Sequence, residues 1–340
     1  MKHSKKIALT AASVGILALA GCAGGGSGAG GGTGGGGNGD AALQEVSIIV
    51  PADPGGGWDQ TGRAMAQVLT DEGILESAPV TNIGGAGGTV GLASLANESD
   101  PGTLMVMGLV MVGAVETNAA AVRLEDTTPI ARLTEEPLIV VVPADSPYQD
   151  LGDLVDDIVE RGQEVTVTGG SAGGADHILA GLVLSEAGLS AEDLRNNLNY
   201  IPNSGGGEAV SLILGNNVAA GISGVGEFAE HVEAGDMRAL AVSSEEPVER
   251  FPDVPTIADA GYDVTLTNWR GVIAPGGIDD AQREELTRVV TEMHDSAAWQ
   301  EELTTRGWDD AFLTGDEFDS FLEANIAEVT ETLRNIGLIQ

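Results

Sequence analysis

The amino-acid sequence predicts an α/β fold with parallel sheets, divided into two lobes. Short β-rich runs alternate along the chain with amphipathic segments, which is the pattern of strands followed by crossover helices. About 300 residues follow an N-terminal low-complexity region, and a chain of that length usually needs more than one hydrophobic core. The predicted strands are residues 46–50, 80–83, 104–107, 138–142, 165–168, 218–223 and 239–242.

Two helices are predicted near the C-terminus. Asp279 and Gln282 have the spacing of a capping box, in which each side chain accepts a backbone N–H of the other residue. Apolar residues then recur at helical spacing, and a second helix with one apolar stripe follows. These residues are Leu286, Val289, Val290, Met293 and Ala297, then Phe318, Leu322, Ile326, Val329, Leu333 and Ile336.

The N-terminus resembles the signal peptide of a bacterial lipoprotein. Three lysines lie within the first six residues and precede an apolar run, residues 7–20, that is too short to span a bilayer. The run ends in Leu-Ala-Gly-Cys, which is similar to the lipobox, where the cysteine is diacylated and becomes the first residue. We therefore expect residues 1–21 to be removed and Cys22 to be lipidated. The alternative is an ordinary cleavage site beside an idle cysteine.

Residues 22–42 are predicted to form a tether. Glycine dominates this segment, with a few small polar residues, so the segment cannot bury a core and behaves as a flexible coil. Its average reach is roughly 20–25 Å, which would hold a folded receptor close to the lipid surface.

The charge of the chain restricts its partners. The net charge is −37, and removal of the three N-terminal lysines would make it about −40, with arginine as the only basic residue type. Such a chain repels nucleic acid and anionic lipid. An anionic ligand would therefore need local attraction from backbone N–H groups, helix N-termini or a well-placed arginine.

Glycine clusters lie just beyond predicted strands, at residues 54–57, 84–88, 169–174, 204–207 and 223–224. Ligands of open α/β sheets bind beyond the carboxyl ends of the strands, where free N–H groups of helix N-termini attract anions. For any one cluster taken alone, a tight strand-to-helix turn is the better explanation. Five of them favour a shared anion-binding site.

One enzymatic alternative stays open at the level of sequence. Residues 169–173 satisfy G-x-S-x-G between a predicted strand and a predicted helix, as in serine esterases, with Ser171 as the nucleophile. A triad would also require His231 or His294. His231 lies among acidic residues and His294 lies in a predicted surface helix, so we expect Ser171 to donate a hydrogen bond to a ligand instead.

No metal or cofactor is predicted. His177 directly follows Asp176, so the two side chains cannot face each other on a helix, and no second histidine is near in sequence. The glycines at 85, 87 and 91 form only a broken dinucleotide fingerprint, and the chain has no G-K-[ST] phosphate loop.

Several segments, in their order and spacing, resemble the substrate-binding proteins of tripartite tricarboxylate transporters, also called Bug-type receptors. The resemblance runs from about residue 46 to residue 307 and includes the segment Pro54-Gly55-Gly56-Gly57-Trp58-Asp59. The other segments that carry it are residues 49–53, 85–91, 141–148, 171–177, 205–209, 223–227 and 254–262.

The resemblance implies a type 2 periplasmic-binding-protein fold, in which two lobes are joined by two crossover strands and close on a ligand. The first lobe would comprise residues 43–142 and 246–340, and the second residues 143–245. The hinge would lie near Val142-Pro143 and near Ser243.

The resemblance also implies an extracytoplasmic receptor that delivers a small carboxylate to two membrane subunits, one large and one small. The segment Asn268-Trp269-Arg270-Gly271 is similar to receptors grouped with tricarboxylate uptake, which favours a citrate-like di- or tricarboxylate. Arg270 would then either bind a ligand carboxylate or form a salt bridge within the protein. A carboxylate receptor that serves a signalling partner is the milder alternative.

Some candidate residues have a second interpretation. Asp59 either caps the first helix and pairs with Arg63 or contacts the ligand. Trp58 and Trp269 either form a wall of the pocket or belong to the lobe cores, and His177 either binds ligand or packs at a helix start. The predicted ligand-binding residues are Gly55, Gly56, Gly57, Trp58, Asp59, Gly87, Gly88, Thr89, Ser171, Gly173, Gly174, His177, Ser204, Gly206, Gly207, Ser223, Gly224, Trp269 and Arg270.

Overall fold

Strands and α-helices alternate through the part of the chain that the computed structural model describes, residues 43–203 and 206–340. The strands are β1 Ser47–Val50, β2 Val80–Asn82, β3 Thr103–Gly108, β4 Thr128–Pro143, β5 Thr166–Gly169, β6 Asn199–Pro202, β7 Ala220–Gly224, β8 Met237–Val242, β9 Thr267–Ala274 and β10 Asp309–Thr314. The helices are α1 Gly57–Asp71, α2 Thr89–Leu95, α3 Leu109–Thr117, α4 Leu151–Arg161, α5 Ala175–Glu186, α6 Ala191–Asn197, α7 Gly206–Leu214, α8 Val225–Ala234, α9 Asp280–His294, α10 Ala297–Arg306 and α11 Gly315–Asn335.

The strands form two sheets that share β4. In the first sheet β1 pairs in parallel with β2 and β3, while β9 runs antiparallel between β3 and β4, and β10 pairs with the other edge of β4. In the second sheet β5 pairs in parallel with β6 and β7, and β7 and β8 lie antiparallel on the two edges of β4. We call the elements around these sheets the first and the second lobe.

The strand β4 changes its partners halfway along its length. Residues up to Pro137 pair with β9, and residues from Leu138 onward pair with β7. The chain returns to the first sheet through residues 243–266, which form turns and one isolated bridge between Val242 and Thr256. Of the two expected crossover strands, one is therefore a continuous strand and the other is a loop connection. The lobe boundaries at 142/143 and 245/246 stay a prediction.

The seven predicted strands are all present, but the sequence did not indicate β6, β9, β10 or the first ten residues of β4. The capping box is confirmed, since the Asp279 side chain accepts the Gln282 N–H at 2.9 Å and the Gln282 side chain accepts the Asp279 N–H at 2.8 Å. The predicted apolar faces of α9 and α11 turn inward, and among the described residues no helix is both long and apolar enough to cross a bilayer.

The C-terminal segment connects the two lobes a further time. Helix α11 packs on α3, β4 and β10 of the first lobe. Beyond it, Ile336 packs so closely on Gly181 of α5 that a β-carbon there would lie 2.8 Å from Ile336 Cδ1. Ile336 and Leu338 also lie beside Leu194 of α6. The last residues of the chain therefore rest on the second lobe.

Ser243 holds the two connections between the lobes together. Its side chain is fully buried, its oxygen accepts the Leu138 N–H at 2.8 Å, and its hydroxyl donates to the Leu266 carbonyl at 2.5 Å. Its backbone also exchanges hydrogen bonds with the same two residues. The point where β4 changes sheets is thus fastened to the return connection.

Replacing Ser243 by alanine should destabilise the fold by about 1–3 kcal/mol, because the Leu138 N–H and the Leu266 carbonyl lose a partner in a buried place. Urea denaturation measures this difference. Ser244→Ala is the matched control, since the Ser244 hydroxyl donates to the Glu246 carbonyl at an exposed position and its loss should cost less than about 0.5 kcal/mol. Equal effects of the two substitutions would contradict the assigned role of Ser243.

Candidate functional site

Helix N-termini of both lobes converge on one cavity. Gly57 and Trp58 begin α1, Val110 lies in the first turn of α3, Asp176 in that of α5, and Glu227 in that of α8. All of these helices follow strands, so the cavity lies beyond the carboxyl ends of the strands. Its volume is about 90 Å³. It is lined by Pro51, Ala52, Gly56, Gly57, Trp58, Gly85, Ala86, Gly87, Gly88, Val110, Gly170, Ser171, Asp176, Asn203, Ser223, Gly224, Glu227, Asn268 and Arg270.

The lobes are closed around this cavity. A β-carbon on Gly87 of the first lobe would lie 3.3 Å from the Ser171 Cβ of the second. The Thr117 hydroxyl of α3 lies 3.4 Å from the Ala172 carbonyl oxygen. Small residues on both sides allow this approach, and the cavity is the space that remains between them.

Glu227 forms a direct hydrogen bond across the cleft. Its Oε1 accepts the Gly57 N–H at 2.8 Å, and its Oε2 accepts the Ser223 hydroxyl. Gly57 begins α1, whose N-cap residue Gly56 supplies no side-chain cap. A carboxylate of the second lobe therefore occupies one of the free N–H groups of a first-lobe helix, where the helix dipole favours negative charge.

Arg270 and Glu136 form a buried ion pair beside the cavity. Their side chains are only 3% and 2% exposed, and Arg270 Nη2 donates to Glu136 Oε1. Arg270 Nη1 is buried and has no hydrogen-bond partner among the described residues. Burial raises the pKa of Glu136, and the neighbouring guanidinium opposes this shift. The guanidinium also lies 5.5 Å from the centre of the Trp308 ring.

Glycine is required at the start of α1 and at the end of β7 because of this ion pair, and not because of a turn. A β-carbon on Gly57 would lie 2.8 Å from Arg270 Cζ, and one on Gly224 would lie 2.6 Å from the carboxyl carbon of Glu136. Neither glycine has a positive φ. The glycines therefore allow charged side chains to pack closely against the backbone. The sequence alone did not distinguish this role from a role in a tight turn.

The structure brings about half of the predicted binding residues to the cavity. Those at the cavity are Gly56, Gly57, Trp58, Gly87, Gly88, Ser171, Ser223, Gly224 and Arg270. Those outside its lining are Gly55, Asp59, Thr89, Gly173, Gly174, His177, Gly207 and Trp269, while Ser204 and the surroundings of Gly206 lie outside what the structure describes.

Asp59 and Trp269 have structural partners instead. Asp59 accepts hydrogen bonds from the Gly55 N–H, from Arg63 Nε and from Asn82 Nδ2, each at 2.9 Å, and these bonds lower its pKa against the opposing effect of burial. The expected pairing with Arg63 is confirmed. Trp269 is 2% exposed and packs in the first-lobe core, with its indole N–H donating to Asn325.

His177 packs at the start of α5, as one of its two interpretations predicts. Its ring stacks on Tyr200 at a centroid distance of 4.1 Å, and its Nδ1 accepts the Gly173 N–H at 3.1 Å. Burial lowers the pKa of His177 to about 4, so the ring is neutral at pH 7.

Sequence reasoning missed several residues that line the cavity, above all Asp176 and Glu227. Both follow a glycine loop by a few residues and lie in the first turn of a helix, a position that could have been used as a signal. An acid there is ordinarily explained by the helix dipole. Among the described residues, the missed lining residues are Pro51, Ala52, Gly85, Ala86, Val110, Gly170, Asp176, Asn203, Glu227 and Asn268.

The structure does not bring the candidate residues of an esterase triad together at the cavity. Ser171 lines the cavity, whereas His231 and His294 do not. His294 instead pairs with Asp295 and Asp310 on the surface. Within residues 43–203 and 206–340, no group of three or more histidine, cysteine, aspartate or glutamate side chains is arranged to hold a metal ion.

Glu227→Ala should shift the ligand-free protein towards an open form, because a hydrogen bond between the lobes is lost. A hydrogen bond to a charged group contributes about 1.5–3 kcal/mol, which corresponds to a shift of tenfold or more in the ratio of closed to open forms. Small-angle X-ray scattering would show a larger radius of gyration. Glu230→Ala removes an exposed acid from the same helix and should leave the radius unchanged; no difference between these two variants would contradict the role of Glu227.

The comparisons with known proteins agree with this geometry. The family model described as tripartite tricarboxylate transporter family receptor matches residues 61–338. Protein BugT of Bordetella pertussis is 29% identical over 302 residues, which cover 86% of this chain and 89% of BugT.

Two solved structures of similar fold contain carboxylates. A Rhodopseudomonas palustris protein with adipate has a TM-score of 0.78 at 21% identity, covering 88% of this chain and 99% of that one. MatC from the same species, with bound malate, has a TM-score of 0.72 at 21% identity, covering 85% and 98%. The expected periplasmic-binding-protein fold is confirmed. The chain belongs to the tripartite tricarboxylate transporter receptor family, and is a binding protein rather than an enzyme.

Proposed function

We propose that this protein captures a citrate-like di- or tricarboxylate in the cavity between its lobes and delivers it, from a lipid anchor, to a large and a small membrane subunit of the transporter. The observation that carries the ligand class is the free donor of Arg270. Nη1 belongs to a cavity-lining side chain that is 97% buried, and a buried donor without a partner is costly. A ligand carboxylate supplies the missing acceptor.

Backbone donors support the same ligand class. The loops around Gly87 and Ser171 present glycine-rich backbone to the cavity, and the Ser171 and Ser223 hydroxyls lie in its lining. Helix N-termini and close glycine backbone favour anions at short range. Trp58, which is 8% exposed, forms an apolar wall. In this proposal the backbone binds one carboxylate and Arg270 binds another.

The preference for more than one carboxylate rests on two further points. The segment that contains Asn268 and Arg270 is similar to receptors grouped with tricarboxylate uptake, and both residues line the cavity. The two relatives described above were solved with malate and with adipate, which are dicarboxylates. A monocarboxylate would leave either the backbone donors or the Arg270 donor without an acceptor.

The role of Arg270 can be tested with one variant that keeps the guanidinium and a second that removes both charges of the ion pair. Glu136→Gln alone keeps the guanidinium and should retain binding of malate, adipate or citrate, because it removes a competing acceptor. The double substitution Glu136→Gln with Arg270→Gln removes both charges and should weaken binding roughly ten- to a hundredfold, the value of a hydrogen bond to a charged group. Isothermal titration calorimetry measures both affinities.

A substitution of Arg288 to Gln provides the control for lost positive charge. Arg288 lies on α9 with 45% of its side chain exposed, and its ion-pair partners among the described residues are Glu285 and Glu292 of its own helix. Its loss should leave affinity unchanged. Equal affinities of the double variant and the native protein would show that Arg270 does not bind the ligand. Failure of every carboxylate to bind the native protein would overturn the proposed function.

The lipid anchor is supported by the sequence around Cys22, which lies outside the described residues. A single cysteine at the end of the apolar run can receive a diacylglycerol, and two acyl chains are enough for stable anchoring. The glycine-rich tether of residues 22–42 would then let the folded part reach its membrane subunits.

Cys22→Ser should therefore abolish incorporation of labelled palmitate and remove the protein from the membrane fraction of expressing bacteria. Ser27→Ala, in the same glycine-rich segment, should leave both properties unchanged. Equal labelling of the native protein and Cys22→Ser, or no labelling of either, would show that this cysteine is not the anchor.

A further inference from the structure

The cavity holds more negative than positive charge before any ligand arrives. The carboxyl groups of Asp176 and Glu227 line it, Glu136 lies directly behind it, and Arg270 is the only cation in its lining among the described residues. A dicarboxylate would add two further negative charges. Like charges in a closed cavity of low dielectric repel each other strongly, so the complex requires neutralisation from some source.

Asp176 is the acid without a counterion. Its side chain is 7% exposed, and its Oδ2 accepts the Gly170 N–H at 2.5 Å. Glu136 has Arg270 as its partner, and Glu227 accepts the Gly57 N–H and the Ser223 hydroxyl. No arginine is within ion-pair distance of Asp176 in the part of the chain that the structure describes.

The groups that face Asp176 do not stabilise its negative charge. Tyr200 on β6 lies beside it, but its hydroxyl donates to the Gly170 carbonyl. His177, the next residue on α5, turns its ring onto Tyr200 and is neutral. Glu227 on α8 and Glu136 on β4 are acids, and Arg270 on β9 is held by Glu136. The neighbours therefore favour an uncharged carboxyl group.

The pKa of Asp176 agrees with this geometry. It is raised to about 7, chiefly by burial and also by the two neighbouring glutamates, against the opposing effects of the Gly170 N–H and of Arg270. A carboxylic acid kept neutral by its surroundings can donate a hydrogen bond to an anion. A second anion brought into the cavity favours the protonated form still more.

We propose that Asp176 is a ligand-binding residue that acts as a carboxylic acid: its Oδ1–H donates to a ligand carboxylate, so that capture carries one proton from solvent into the closed cleft. This inference rests on the proposed carboxylate receptor function. The proton stays on Asp176 Oδ1, Oδ2 keeps the Gly170 N–H, and the ligand remains an anion. Above about pH 7, where free Asp176 is ionised, the protein thus takes up one proton with each ligand that it binds.

Calorimetric titration of malate and adipate into the full chain in detergent, in buffers of different ionisation enthalpy, counts the protons taken up. At about pH 8.5 the uptake should approach one proton per ligand, because free Asp176 is ionised there. At about pH 6 it should fall close to zero, because Asp176 already holds its proton. Above about pH 7 the Kd should rise roughly tenfold per pH unit.

Two isosteric variants locate the proton. Asp176→Asn keeps an acceptor for the Gly170 N–H and supplies a permanent donor, so proton uptake should vanish and the Kd should become independent of pH. Glu230→Gln, the matched control, removes an exposed acid of α8 outside the cavity lining and should keep the uptake of the native protein. Uptake that persists in Asp176→Asn, or that is lost in Glu230→Gln, would overturn the assignment.

Thermal unfolding gives a second, ligand-free readout. Because the pKa of Asp176 is raised in the folded state, ionisation of this carboxyl group destabilises the fold. The loss of stability begins above the pKa of the unfolded chain, near 3.8, and is complete above about pH 7. Asp176→Asn should therefore melt at a higher temperature than the native protein at about pH 8, and the advantage should disappear at about pH 4. A lower melting temperature at pH 8 would overturn the inference.

The outcomes separate the inference from the function on which it rests. Binding of malate or adipate without proton uptake at about pH 8.5 overturns the role of Asp176 and leaves the receptor function standing. Absence of binding by malate, adipate and citrate at both pH values overturns the proposed function, and the inference with it.

Discussion

The buried ion pair between Arg270 and Glu136 constrains the rest of the site. Glu136 lies on β4 just before this strand changes sheets, and Arg270 lies on the neighbouring strand β9, two residues beyond Asn268, the register partner of Glu136. Removing one charge of such a pair leaves the other uncompensated, at a cost of about 3–5 kcal/mol. The pair also requires glycine at positions 57 and 224, one on each lobe. The charge balance beside the cavity, the glycines at positions 57 and 224 and the closure of the cleft therefore all depend on the contact between Arg270 and Glu136.

An acidic protein needs attraction at short range to bind the proposed carboxylate. The chain carries a net charge of −37, but charges farther away than about 8–10 Å are screened at physiological salt. Within that distance the cavity lining holds glycine-rich backbone, the Ser171 and Ser223 side chains and Arg270. The acidic surface therefore affects solubility and encounter more than it affects the bound state, where the few groups in direct contact decide the affinity.

The sequence predicted the fold class, the family and the loops around the cavity, because β-rich runs and glycine clusters are local signals. It did not predict β9 or the first part of β4, where Arg132, Glu135 and Pro137 interrupt the apolar pattern and pairing with other strands decides the structure. Asp176 and Glu227 were missed for a related reason. Acids in the first turn of a helix have a local explanation, and only the packing of both lobes shows that they face one cavity.

The way in which the chain ends has a practical consequence for labelling. Ile336 and Leu338 follow α11 of the first lobe and pack on helices of the second lobe. They therefore lie where the two lobes meet in the closed form. An affinity tag or fluorophore fused to Gln340 would disturb this contact between the lobes and favour the open form. Probes of lobe motion are better placed on exposed residues of α4 and α9, which leave both termini untouched.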